Sequence, residues 1–470
     1  MAAGALSAAD PPPGAGWTDS VRRIVPLAWP VVVGQISLLA FSIMDTVLVG
    51  RAGTADLAAL AVGGAAFISI FVGFMGVLMA LAPVIGQLYG AGRHAEIGHQ
   101  VHQGLWLALA LSALGSTLLL FPAPFLAMAG ATPDVEGKVR GYMAALALSL
   151  PASLLFMVFR ALNTAVSRPK AVMVLQMAAL GVKLPLTVAL VFGAPALGLP
   201  ALGVLGCGIA TAVAMWCQLL AALWLVRRDP FYRPFGIVGR GLDRPDRAAL
   251  AALVKLGLPM GGSILVEVTG FSFMAIFISR LGATPVAGHQ VAVNLVSVMF
   301  MVPLGLAQAT STLVAQSVGA LRPHDARRLG WHGLALGTGL AALLAGGVLL
   351  LREPLLGLYT RDPLVVAAAL PLMAWLVPFH IADAAQTLAA YVLRAYKTAT
   401  VPMVIYVAAL WGVGLGGGWV LAFNVPGNVP AALQGAPGFW VAATAGLVLA
   451  GSALTAFMAW VFGRQRQACI

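Results

Sequence analysis

The chain is a succession of apolar runs, each about twenty residues or longer, separated by short breaks where charged and turn-forming residues collect. A helix crossing the hydrocarbon of a bilayer needs about 20 mostly apolar residues, because no water is present there to bond an unsatisfied peptide group. The pattern predicts twelve such helices, over 25–50, 57–89, 100–122, 138–160, 169–192, 200–226, 252–279, 285–318, 329–351, 364–393, 400–422 and 438–462. The break after the sixth, from Arg227 to Arg247, is the longest charged connection and contains Pro230, Pro234 and Pro245. It reads as a linker between two halves.

Sliding the chain on itself by 229 residues places Pro30 on Pro259, Arg51 on Arg280, Gly76 on Gly305, Gln87 on Gln316, Gly90 on Gly319 and Arg93 on Arg322. At an offset of 234, Arg160 meets Arg394 and Thr164 meets Thr398. Apolar positions would coincide by chance in such a sequence, but Arg, Gln and Pro positions at one offset would not. Six spans per half return the chain to its starting side, so the repeats are parallel and a cleft lies between two bundles. The expected fold is all-α and polytopic, with twelve transmembrane helices in two six-helix repeats around a central cavity. Its parts are a tail (1–24), an N-terminal bundle (25–226), a linker (227–251), a C-terminal bundle (252–462) and a second tail (463–470).

Composition agrees, with 61% apolar and only 9% charged side chains and a mean hydropathy of +0.96, where a soluble domain carries about 25% charged residues. This excludes a disordered polymer, a secreted disulfide module and a soluble multidomain enzyme. The net charge of +12 would suggest nucleic acid in a soluble protein; here it sorts by loop. With the N-terminus inside, 20 basic residues fall in inside connections and tails, Arg160 and Arg394 among them, against six outside. By the positive-inside rule both termini are expected in the cytoplasm, and no nucleic-acid partner is expected. The first twenty residues lack a basic segment leading into an apolar one, so no cleavable signal peptide is expected. Cys207, Cys217 and Cys469 form no metal or disulfide pattern.

Three carboxylates interrupt the apolar spans: Asp45 in the first, Glu267 near the centre of the seventh and Asp383 in the tenth. Each costs roughly 2.5–3.5 kcal/mol at a helix centre, so each must face water, a partner or a bound cation. Low dielectric favours a neutral carboxyl, which lets it carry a proton, while paired carboxylates with neutral oxygens can hold Na+. Gln290 and Asn294 share a face of the eighth span, and His380, Asp383 and Gln386 share a face of the tenth, which Pro378 interrupts. Lys183 is a lone ammonium within the fifth span. His94, Glu96, His99 and His102 read as a solvated loop without metal-site spacing, and Gly412, Gly414, Gly416, Gly417 and Gly418 as a small-residue packing face. No Walker motif points to ATP.

VEVTGF (Val266–Phe271), AGHQVAVN (Ala287–Asn294) with the following VMFMVP, DAAQTLAAYVLRAYK (Asp383–Lys397) and MDTVLVG (Met44–Gly50), supported by GCGIATA (Gly206–Ala212), resemble the multidrug and toxic compound extrusion (MATE) family. The likeness runs from about Arg22 to Gly463 and lies nearest the bacterial Na+-linked branch. It implies a multi-pass inner-membrane antiporter that exports amphipathic, mostly cationic drugs and dyes in exchange for Na+ or H+, with no cofactor and as a monomer. It also implies Glu267, Asp383 and Asp45 as cation-coupling carboxylates, with Na+ at Glu267 and Asp383. Where relatives carry two Asn around a Pro-Leu pair in the fifth span, this chain reads VKLPLTVAL, with Lys183 and Thr187. Lys183 is therefore expected to pair with Asp45, leaving Glu267 and Asp383 to carry the cation. The alternatives are a lipid-linked saccharide flippase, disfavoured because only Lys183 offers an intramembrane cation, and an intramembrane enzyme, for which no catalytic constellation is present. The expected cavity is net negative.

Overall fold

The computed structural model of the chain describes residues 16–123, 126, 133–195, 198–239 and 241–468. Within them twelve helices are long and apolar enough to cross a membrane: α1 (Trp17–Ala52), α2 (Thr54–Gly90), α3 (His94–Leu120), α4 (Pro133–Ala165), α5 (Pro169–Phe192), α6 (Val204–Arg228), α7 (Arg247–Ser279), α8 (Ala283–Gly319), α9 (Pro323–Leu350), α10 (Pro363–Ala395), α11 (Thr400–Ala422) and α12 (Ala436–Arg464). Every predicted span has its helix. Many exceed the hydrocarbon's demand: α4, α7 and α10 have 33 residues each, roughly 50 Å at 1.5 Å per residue. Leu114, Leu148, Leu220, Trp224, Leu343 and Val404 are exposed on the outside of the bundle, as expected where lipid replaces water.

The repeat is visible in the packing. In the first half α4 packs against α2, α3 and α6; in the second, α10 packs against α8, α9 and α12. The halves meet where α1 crosses α8, α2 crosses α7 and the end of α2 lies on α8. These contacts begin at mid-helix, where Gly76 faces Gly261 and Gly305 faces Ala28 and Val32, and continue toward the side that carries the termini. At the tip, a Cβ on Gly90 would overlap the Gln316 carbonyl and one on Gly319 the Gln87 carbonyl, so glycine is required on both sides of this pseudo-twofold contact. Gln87 Nε2 donates to the Ala395 carbonyl (2.8 Å) and Gln316 Nε2 to the Ala165 carbonyl (2.7 Å), each reaching into the opposite half. Arg23 pairs with Asp325 at 3.0 Å, Arg328 with Asp325 at 2.6 Å and with Asp19 at 3.3 Å, and His332 Nδ1 lies 2.8 Å from Ser20 Oγ. The side carrying both termini is therefore closed.

Two readings of the polar breaks require correction. His94, Glu96, His99 and His102 do not lie in a loop: α3 starts at His94, and His102 is buried. The polar face of this helix start docks the linker. His102 Nε2 lies 3.0 Å from the Ile237 carbonyl, Asp243 Oδ2 lies 3.2 Å from His99 and 3.1 Å from His102, and Gln103 and Trp106 donate to the Arg244 and Asp243 carbonyls. Those histidine contacts hold the Asp243 carboxyl below the usual carboxylate range. The linker itself contains a 3-10 turn, Pro230–Phe235, whose Tyr232 and Phe235 are buried in the first half's core. Asp56, in the first turn of α2, is buried and accepts from Lys138 Nζ at 2.6 Å and from the Val204 amide at 2.9 Å. Arg160 and Arg394 are not in cytoplasmic connections; both lie within helices, α4 and α10, and face the space between the halves.

The small-residue stretch of α11 packs through Gly414, Gly417 and Gly418, whereas a Cβ on Gly412 would meet nothing within 4 Å. Gly414 sits against Ala443 and Gly418 against Phe439 of α12, and the helix passes through a π-helical stretch over Val407–Gly416.

Candidate functional site

A cavity of about 630 Å³ lies between the halves. α1, α2 and α4 line one side and α7, α8 and α10 the other. Its walls are largely apolar and soft, with Met75, Met79, Met157, Phe271 and Phe300. Such side chains adapt to ligands of differing shape.

The predicted carboxylates of the second half both open on this cavity. Glu267 comes from the middle of α7 and Asp383 from α10, where Asp383 is only 3% exposed. Gln386, one helical turn on and buried, donates through Nε2 to Asp383 at 3.0 Å and to the Thr387 hydroxyl at 3.3 Å. Its Oε1 has no hydrogen-bond partner among the described residues. Two carboxylates and one spare amide oxygen form a hard-oxygen donor set of the kind a small monovalent cation takes, and either acid can instead carry a proton. Trp411 donates from α11 to the carbonyl of Val266 at 3.1 Å, bracing the turn that presents Glu267.

The other predicted residues are not brought to this point. Asp45 and Lys183 form their own nest in the first half, off the cavity: Lys183 Nζ lies 2.6 Å from Asp45 Oδ2 and 4.7 Å from the ring centre of Phe41. Asp45 Oδ1 and the Thr187 hydroxyl have no partner there among the described residues. Gln290 and Asn294 bond each other at 3.2 Å on an exposed face of α8, and neither lines the cavity. His380 is fully buried with both ring nitrogens unpartnered among the described residues, and it too lies off the cavity.

Sequence reasoning missed the cavity's own cations. Arg160 Nη2 donates to Gln35 Oε1 at 2.8 Å and Gln308 Oε1 at 3.4 Å, and the Arg394 guanidinium stacks 4.3 Å from the centre of the Tyr391 ring. The lining charges are thus Glu267 and Asp383 against Arg160 and Arg394. The sum is zero, which corrects the expected net-negative cavity and removes the premise that Lys183 is the lone intramembrane cation. The signal was present, since these two arginines superpose at the 234-residue offset; their nearness to the span ends concealed it.

Comparison with known proteins converges on one group. The family model MatE matches residues 30–189 and 259–420, once in each half. A probable multidrug resistance protein NorM of Aromatoleum aromaticum is 42% identical over 430 residues, 91% of this chain and 91% of that protein. One from Chromobacterium violaceum is 38% identical over 439 residues, 93% of each. Among solved structures, the Vibrio cholerae MATE transporter VcmN in its bent form superposes with a TM-score of 0.85 at 19% identity, covering 96% of this chain and 99% of that one.

Proposed function

This chain belongs to the MatE family of transporters, and from that premise we propose that it is a cation-coupled multidrug efflux antiporter of the bacterial inner membrane. It is a transporter and not an enzyme; what it carries, and against which ion, is the proposal. An amphipathic cationic compound occupies the cavity between the halves, and Na+ or H+ occupies Glu267, Asp383 and Gln386. The two cargoes compete for the same negative charge. Cation entry from the open side releases the drug, and rocking of the halves about the α1–α8 and α2–α7 contacts re-exposes the site to the other side. With both termini in the cytoplasm, as the basic loops argue, the state described above faces outward.

The observation that carries this reading is the placement of two intramembrane carboxylates on the wall of a soft, apolar cavity between repeats, with a spare amide oxygen on the buried Gln386 behind Asp383. The Asp45–Lys183 pair supplies a fixed internal cation where the first half would otherwise offer a second coupling site. Glu267→Gln and Asp383→Asn test the assignment. In cells or everted vesicles each is expected to slow efflux of a fluorescent cationic dye by at least about tenfold, the scale of one lost charge-assisted contact. Asp362→Asn, on an exposed connection, should leave efflux unchanged. Normal efflux by both cavity variants would remove these residues from the mechanism.

A further inference from the structure

The two cavity arginines have no anion of their own. Arg394 is only 7% exposed, yet its Nη1 has no hydrogen-bond partner among the described residues, and its guanidinium rests on the Tyr391 ring. Arg160 bonds only the neutral amide oxygens of Gln35 and Gln308. Among the described residues neither arginine has a carboxylate within ion-pair distance, and neither is among those with further partners. Glu267 lies within Coulombic range of Arg394 without pairing to it. Two guanidiniums held in a membrane-embedded cavity by neutral acceptors and a ring cost much more than two that are paired. A purely structural arginine would be expected to fill its donors with carboxylate or backbone carbonyls, as Arg23 does on Asp325. An arginine fork with free donors in a cavity is the arrangement that receives a carboxylate or phosphate.

We propose that Arg160 and Arg394, one from each repeat, form an anion-binding subsite in the central cavity, and that the cargo class therefore includes amphiphiles bearing a carboxylate or a phosphate group. The subsite lies in the cavity that holds Glu267 and Asp383, so one ligand can place a cationic group on the carboxylates and an anionic group between the arginines. Because the arginines come from opposite halves, an anion bound between them also bridges the halves. This inference rests on the reading of the cavity as the drug site.

A matched pair of dyes tests it: a rhodamine with a free benzoate and the same rhodamine as its methyl ester, measured by equilibrium dialysis against the full-length protein in detergent. Wild type is expected to bind the acid at least as tightly as the ester. Arg394→Gln and Arg160→Gln should each weaken the acid about tenfold or more and the ester by less than about threefold. If both dyes weaken alike, or neither changes, while the melting temperature stays at the wild-type value, the subsite is refuted. Should a variant fail to fold, competition in the wild-type protein decides. Benzenesulfonate displacing the acid but not the ester supports the subsite, and failure to displace the acid overturns it. The two readings fail separately. Ester binding without discrimination by the arginine variants leaves the cationic-drug reading standing and removes the subsite; acid binding that is lost in Arg394→Gln, with no ester binding, does the reverse.

Discussion

Asp45 and Lys183 make a test of single-residue energetics that is independent of transport. Lys183 is buried, Asp45 is largely covered and the two are 2.6 Å apart, so removing one partner strands a charge in low dielectric, at a cost of about 3–5 kcal/mol, whereas removing both leaves a neutral nest. Lys183→Met is expected to lower the melting temperature in detergent strongly, and Asp45→Asn combined with Lys183→Met to recover most of the loss. Equal destabilisation by the single and double variants would contradict the pairing. Lys183→Asn frees Asp45 for a second coupling cation, so the steepness of the Na+ or H+ dependence of efflux should rise; an unchanged dependence removes Lys183 from coupling. These acids were readable from sequence because a charge within an apolar run has no inexpensive explanation. Arg160 and Arg394 were not, because near a span end a basic residue has an ordinary explanation as a loop charge. Only the length of α4 and α10 shows that they are still inside helices.

Helix ends carry the element-scale information. The turns after α2, α4, α8 and α10 each contain one left-handed residue, at Gly92, Ser167, Leu321 and Lys397. Gly92 and Leu321 are equivalent at the 229-residue offset, so the second half keeps the turn without its glycine. A left-handed non-glycine residue costs roughly 1–2 kcal/mol, and the Leu321 side chain is 88% exposed and contributes little packing. Leu321→Gly should therefore raise the melting temperature by a few degrees, while Gly92→Leu lowers it. In the linker, Asp229 accepts from the Phe231 amide at 2.9 Å and from Arg168 at 2.6 Å, which hold its carboxyl below the usual range. A lowered folded-state value contributes stability above the ordinary Asp value of about 3.9, and that contribution is lost as pH falls through the lower folded value. Acidification below about pH 4 should lower the melting temperature less in Asp229→Asn than in wild type. The twelve spans and their repeat were legible because apolar periodicity and offset matches survive without tertiary context. The docking of the linker was not, since His99, His102 and Asp243 are far apart in sequence and their polarity alone reads as a solvated loop.

The whole molecule is two repeats closed against each other at the termini side around a central cavity. Gly90 and Gly319 permit that closure, because each lets a helix approach the opposite carbonyl. Gly90→Val or Gly319→Val should prevent it, raising reactivity of a cysteine introduced at Ser311 toward a thiol reagent added on the side that carries the termini; unchanged labelling would contradict the gate. The central claim, however, is exchange of drug against a cation. The most direct measurement loads everted membrane vesicles containing the protein with a fluorescent cationic dye and imposes, separately, a Na+ gradient and a pH step. Dye movement driven by at least one gradient, and lost in Glu267→Gln and Asp383→Asn, is the predicted result. Dye that moves under neither gradient, or that moves equally in the two variants, would contradict the account.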